Sequence, residues 1–240
     1  MSTFQEHNKI IDLIEHDSNL LMVINRFGIR LGFGDSTIIE ACRNNNIDPE
    51  FFLAIVNVYH NENYFPTQKF AGFKIVDIVN YLIETHKYYR AFVLPEIERL
   101  FNVLLASETS QREIIRLLEK IFLNFKKGFN KHLEFEEHTI FPLILQLANN
   151  EKEKTGNVRK LEKLNFVNIH EQLDDNILDI KNLLIKYLPP VDDSNNFNAF
   201  AIAIFKFEKD LKDHAKIEDH ILYPRMNIYF NSSESCHDEQ

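Results

Sequence analysis

Apolar residues recur at helical spacing along most of this chain, and polar breaks divide the recurrence into segments of two sizes. Near the start, Ile10, Ile11, Leu13, Ile14, Leu20, Leu21 and Ile24 predict a helix from Lys9 to Asn25. Gly28 and the Gly32-Phe-Gly34-Asp35 loop end it. Thr37 to Asn45 forms a second helix, in which Glu40 completes a capping box with Thr37. Asp48 and Pro49 supply a cap and a first helical residue for a third, running to about Tyr59. His60 to Gln68, with Pro66, reads as a polar linker and the expected domain boundary. Beyond it four long periodic segments are expected over 74–105, 110–149 with a kink at Pro142, 160–187, and 195–229. A charged turn from Asn149 to Gly156 ends the second, Pro189-Pro190 stops the third, and Asp192-Asp193-Ser194 opens the fourth. Amphipathic helices of this length with short connections predict an up-down-up-down four-helix bundle. The fold expectation is therefore all-α: a small helical domain over 1–62, a bundle over 70–230, and a disordered tail over 231–240.

Composition narrows the possibilities. Six Gly and seven Pro among 240 residues are too few for the tight turns of a β-protein. A 45% apolar content supplies a core rich in Leu, Ile and Phe, with no Trp. The net charge of −9 offers no basic excess for phosphate backbones, so nucleic acid is not an expected partner. Thr37 to Asn45 and Pro49 to Tyr59 could pair as a helix-turn-helix, but the second of these lacks the Arg or Lys that would read bases. The two cysteines, Cys42 and Cys236, do not suggest a structural disulfide, the second lying in the polar tail. Neither a signal-like start nor an apolar run of roughly 18 residues is present, so the expected location is the cytoplasm, away from membranes.

The chemistry lies in a repeat. His132-Leu-Glu-Phe-Glu136-Glu137-His138-Thr-Ile-Phe-Pro142 and His214-Ala-Lys-Ile-Glu218-Asp219-His220-Ile-Leu-Tyr-Pro224 share His-x3-Glu-acidic-His and a proline at matching offsets. A helix stacks residues four apart on one face, so each copy aims an imidazole and a carboxylate at one spot. The first and third long helices each carry a single histidine, His86 and His170, that completes a four-helix set. His138 and His220 are turned roughly 120° from His132 and His214 and fall outside the ligand set. Glu137 and Asp219 read as outer-shell or solvated. The expected metal ligands are His86, His132, Glu136, His170, His214 and Glu218. Four imidazoles and two carboxylates without thiolate suit iron, manganese or zinc, and six donors exceed one tetrahedral zinc. They match two iron ions bridged by Glu136 and Glu218, although manganese uses overlapping ligand types. A purely structural bundle with a charged, repeated helix face is the alternative.

The order His86, His132-x3-Glu136, His170, His214-x3-Glu218 resembles the hemerythrin-like di-iron domain over roughly residues 70 to 229. Within that superfamily it is most similar to the iron–sulfur cluster repair proteins, and Leu94-Pro95-Glu96-Ile97 adds to the likeness. Phe27 to Gly34, Glu40-Ala-Cys42 and Asn46 to Glu50 resemble that group's small N-terminal domain. The adjacent cysteine pair usual in that group's loop is replaced here by Leu31-Gly32-Phe33. The resemblance implies two non-haem iron ions bridged by an oxo group and carboxylates, with terminal imidazoles. It implies a protein of nitrosative or oxidative stress that aids repair of damaged iron–sulfur clusters, by iron donation or by handling nitric oxide. Nitric oxide reductase-type turnover is one form this could take, so enzymatic activity stays open. The alternative is a module that binds or senses oxygen or nitric oxide reversibly. Expected partners are these diatomic ligands and damaged iron–sulfur proteins; the oligomeric state is open, a homodimer being one option.

Overall fold

The protein is described by a computed structural model covering residues 3–107, 112–149, 166–190 and 194–226, without the side chains of 166–172 and 174. The expected charged turn up to Gly156, the opening of the third long helix at 160, Asp192-Asp193, and the tail with Cys236 lie outside the described residues. Among the described residues every regular element is a helix, as expected. Contacts between residues divide it into two compact units, one of Met1–Thr85 with Lys216–Ile228, the other built on His86–Ala215.

The first unit begins with short helices set by caps and turns. The helix expected over Lys9 to Asn25 is instead two, α1 (Ile10–His16) and α2 (Leu20–Arg26). Asp17 adopts extended backbone and its carboxylate accepts from the Asn19 N–H at 3.0 Å, so a local side-chain turn replaces a helical turn. Gly28, Gly32 and Gly34 take φ of 80°, 100° and 59° in the connection, the left-handed region that glycine enters without a Cβ penalty. Helix α3 (Ile38–Asn44) has the expected capping box: the Thr37 N–H donates to Glu40 at 2.8 Å, and the Glu40 N–H to the Thr37 hydroxyl at 3.4 Å. Helix α4 (Pro49–His60) starts on Asp48, whose Oδ1 accepts from the Glu50 and Phe51 N–H groups.

Helix α4 is buried almost all round, from Phe51 and Phe52 to Val58 and Tyr59. Such a helix is the core of its unit, and it has no face to lay in a DNA groove. Its one buried amide, Asn57, exchanges two hydrogen bonds with the backbone of Phe4, at 2.7 and 3.1 Å. The stretch expected to be linker is non-helical from Asn61 to Pro66 and leads into a short helix, α5 (Thr67–Gly72), beside which Phe65 and Phe70 stack. Cys42 is fully buried, and desolvation pushes its thiol up to about 12. At neutral pH it carries no thiolate and is inert.

The long segments follow as α6 (Ile75–Tyr88), α7 (Leu94–Ser107), α8 (Arg112–Phe135), α9 (Phe141–Ala148), α10 (Phe166–Asn182) and α11 (Ser194–Ile217). In the unit built on His86–Ala215 they bury one apolar core, with Tyr89, Phe101, Phe122, Phe129, Phe200 and Phe207 nearly inaccessible. Ring pairs such as Phe125 on Phe129 (5.7 Å) and Phe129 against Phe207 (5.4 Å) fill it. Each buried Phe contributes roughly 1.5–3 kcal/mol from area removed from water. Lys181 and Glu208 join α10 to α11 at 2.6 Å, and Lys126 pairs with Glu98 between α8 and α7. Among the described residues no helix is long and apolar enough to cross a membrane.

The long helices are not the uninterrupted α-helices that the periodicity predicts. Each contains a five-residue π stretch, in which hydrogen bonds reach five residues back: Tyr89–Val93, Glu136–Ile140, Leu183–Tyr187 and Glu218–Leu222. A kink was expected at Pro142 alone. The residue closing each stretch donates across the widened turn, Leu94 to Tyr89, Phe141 to Glu136, Leu188 to Leu183 and Tyr223 to Glu218. Single π turns inside α-helices are uncommon and cluster at functional sites.

Candidate metal centre

Helix α8 delivers His132 at its last turn, and the π stretch that follows opens on Glu136. Helix α11 delivers His214 in the same way, with Glu218 one turn on at the start of its own π stretch. Helix α6 ends just beyond His86. The structure brings His86, Glu136, His214 and Glu218 together: one ligand atom from each lies within 4.8 Å of the others, and all four side chains are buried. His86 Nε2 stands 3.1 Å from His214 Nε2 and 3.5 Å from Glu136 Oε2. His132 adjoins this group, its Nε2 3.3 Å from Glu136 Oε2. His170 lies on α10 within the third long segment, and its side chain is outside the described residues.

The donors fit a cation. Two carboxylates at 1% and 0% exposure, Glu136 and Glu218, are costly to bury in an apolar core unless positive charge offsets them. Imidazole and carboxylate together suit iron, manganese or zinc, and the described cluster contains no thiolate.

A second layer of contacts orients one imidazole. Glu137 accepts from His86 Nδ1 at 3.0 Å and from Arg90 Nη1 at 2.8 and 2.9 Å. The hydrogen bond from His86, foremost, and the Arg90 guanidinium hold the Glu137 carboxyl down to about 2. An ionised carboxylate only accepts, so the His86 proton sits on Nδ1 and the Nε2 lone pair faces the cluster. Consecutive carboxylates thus address the two nitrogens of one ring. Glu137 takes the outer position expected of it, whereas Arg90 had no place in the sequence reading. Its spacing, one helical turn after His86, was the available signal. Asp213, 2% exposed and paired with Lys209 at 3.1 Å, also escaped notice.

His138 and His220 are exposed and stand apart from the cluster, as the helical angle requires. His138 Nδ1 turns back to the Glu134 carbonyl at 2.8 Å, and His220 rests 5.2 Å from Phe65. A small apolar cavity formed by Phe129, Leu133, Leu173 and Leu211 opens beside His132 and His214.

Comparison with known proteins agrees with this chemistry. Over 210 residues the chain is 18% identical to the iron–sulfur cluster repair protein ScdA of Staphylococcus haemolyticus (strain JCSC1435), covering 85% of this chain and 91% of that one. It is 20% identical over 193 residues to the iron–sulfur cluster repair protein YtfE of Salmonella paratyphi B, covering 80% and 83%. The hemerythrin HHE cation binding domain matches residues 77–226, more than half of the chain and the whole span from His86 to Glu218. This chain belongs to the hemerythrin HHE cation-binding family.

Proposed function

We propose that the chain is a non-haem di-iron protein of the nitrosative and oxidative stress response that aids repair of damaged iron–sulfur clusters. The observation that carries this reading is the buried meeting of His86, Glu136, His214 and Glu218 within 4.8 Å. His86, His132, Glu136, His170, His214 and Glu218 would hold the two irons. The similarity to ScdA and YtfE along most of their length supplies the repair role. The bundle residues 70–230 form the metal-holding domain in this reading, and residues 1–62 a helical domain that precedes it.

A bound di-iron centre supplies reversible one-electron chemistry and a position for a diatomic ligand. The chain's own residues do the rest. Glu137 and Arg90 fix the His86 ring, and Glu136 and Glu218 contribute the negative charge that retains two cations. Phe129, Leu133, Leu173 and Leu211 give His132 and His214 an apolar surrounding. Iron release to a damaged cluster and turnover of nitric oxide are the two forms of activity, both in the cytoplasm.

A second reading, reversible binding or sensing of oxygen or nitric oxide, is favoured by one observation. Cys42, buried and with its thiol pushed up to about 12, offers no reactive thiol from the N-terminal unit.

The test is metal content and visible absorption of the purified protein, beside a His132→Ala/His214→Ala variant. About two irons per chain, lost in the variant, support the centre. Restoration of activity to an oxidatively damaged iron–sulfur enzyme then separates repair from reversible gas binding. A folded wild type without stoichiometric metal would sink the reading.

A further inference from the structure

Each of the four π stretches is followed by a proline at one fixed offset. Pro95, Pro142, Pro189 and Pro224 each stand six residues after the first residue of a stretch and directly after the residue that donates across it. Proline has no N–H, and inside an α-helix its ring collides with the carbonyl four residues back. For Pro95, Pro142 and Pro224, which stand inside continuing helices, that carbonyl belongs to Ala91, His138 and His220, each inside the widened turn; Pro189 instead follows Leu188, whose extended backbone ends its helix. Widening moves the carbonyl aside and absorbs one extra residue.

That extra residue changes which side chains face inward. In an uninterrupted α-helix, residues nine apart point about 180° away from each other. His132 and Phe141 are nine apart, as are His214 and Tyr223, and all four are buried. Phe141 even lies against the His86 ring, with centroids 5.4 Å apart. The phase slip lets the histidine and glutamate before the proline be buried together with the aromatic residue just ahead of the proline, Phe141 or Tyr223.

We propose that Pro142 and Pro224 are positioning residues for the metal centre: each fixes the widened turn that begins on Glu136 or Glu218. The assignment rests on the metal reading above for its consequence, but the phase slip it invokes exists without metal. Pro189 is the control: it lies beyond the end of its helix, and the stretch before it, Leu183–Tyr187, carries none of the six candidate ligands.

The experiment compares wild type with Pro142→Ala, Pro224→Ala and Pro189→Ala in the full chain. Helix content is read by circular dichroism, and iron(II) affinity by competition with a chelator. In the metal-free protein, a nuclear Overhauser contact is measured between the His86 and Phe141 rings. P142A and P224A are expected to keep their helix content and to lose at least about tenfold in iron(II) affinity, the scale set by groups that orient ligands. P189A should match wild type. The ring contact should be present in wild type and P189A and absent in P142A. Wild-type affinity in both P142A and P224A, an equal loss in P189A, or loss of helix content overturns the assignment, the last because the prolines would then serve folding alone. A wild type that binds no iron defeats the metal reading instead, and the ring contact still decides whether Pro142 sets the turn.

Discussion

The two copies of the His-x3-Glu-acidic-His motif are nearly the same in sequence and differ in what surrounds them. In the first, the acidic residue after the ligand, Glu137, reaches the His86 imidazole and the Arg90 guanidinium. In the second, the matching residue is the shorter, half-buried Asp219. Ahead of the histidines the contrast reverses. Lys131 is exposed, whereas Asp213 is buried and paired with Lys209. The pattern His-x3-Glu is local helix geometry and comes out alike twice. The contacts beside it are set residue by residue: Glu137 reaches a different helix, whereas Asp213 pairs within its own. A repeat in sequence therefore yields two similar pairs of candidate ligands, while the residues beside them need not repeat.

The comparison breaks first at the carboxylates shared by both copies. Glu136→Ala and Glu218→Ala should each lower iron(II) affinity by about a hundredfold or more, because each removes a buried donor and its charge; a chelator titration reads this. Equal affinity in either variant would remove that copy from the centre. Glu137→Ala should cost about 10- to 100-fold, the usual loss when a group orienting a ligand histidine is removed. Asp219→Ala in the same titration should cost several-fold less, and equal losses would erase the asymmetry. In a double-mutant cycle, Arg90→Met should add little to E137A, since both act through the same contact. Additive losses would separate their roles. Smaller still is an effect on stability: Asp213→Ala should cost about 1–2 kcal/mol in urea unfolding, and Lys131→Ala should stay within about 0.5 kcal/mol. His138→Ala and His220→Ala should leave metal binding unchanged.

Much of this was legible along the chain. The Thr37–Glu40 capping box and the Asp48-Pro49 helix start rest on hydrogen bonds within four residues, and both appear as read. Glu136, His214 and Glu218 follow from the His-x3-Glu spacing and His86 from being the single histidine of its long segment, and the structure brings these four together. The break at Asp17 was missed because apolar spacing is continuous through it, while the turn depends on a single side-chain acceptor. The π stretches were missed for a related reason. Periodicity over a long window averages away one inserted residue, although the prolines that follow each stretch announce it.

The sequence by itself determined that the chain is helical, where its short helices begin, and that two helices each present an imidazole and a carboxylate one turn apart. Those features depend on interactions within a turn or two, which the order of residues contains. Only the tertiary structure decided which ring nitrogen of His86 faces the cluster. Glu137 stands 51 residues from His86 in sequence, and packing alone brings it within 3.0 Å of the ring. Tertiary packing likewise decided what Phe141 meets: its ring lies 5.4 Å from that of His86, 55 positions earlier in the chain, a contact that burial of apolar area favours.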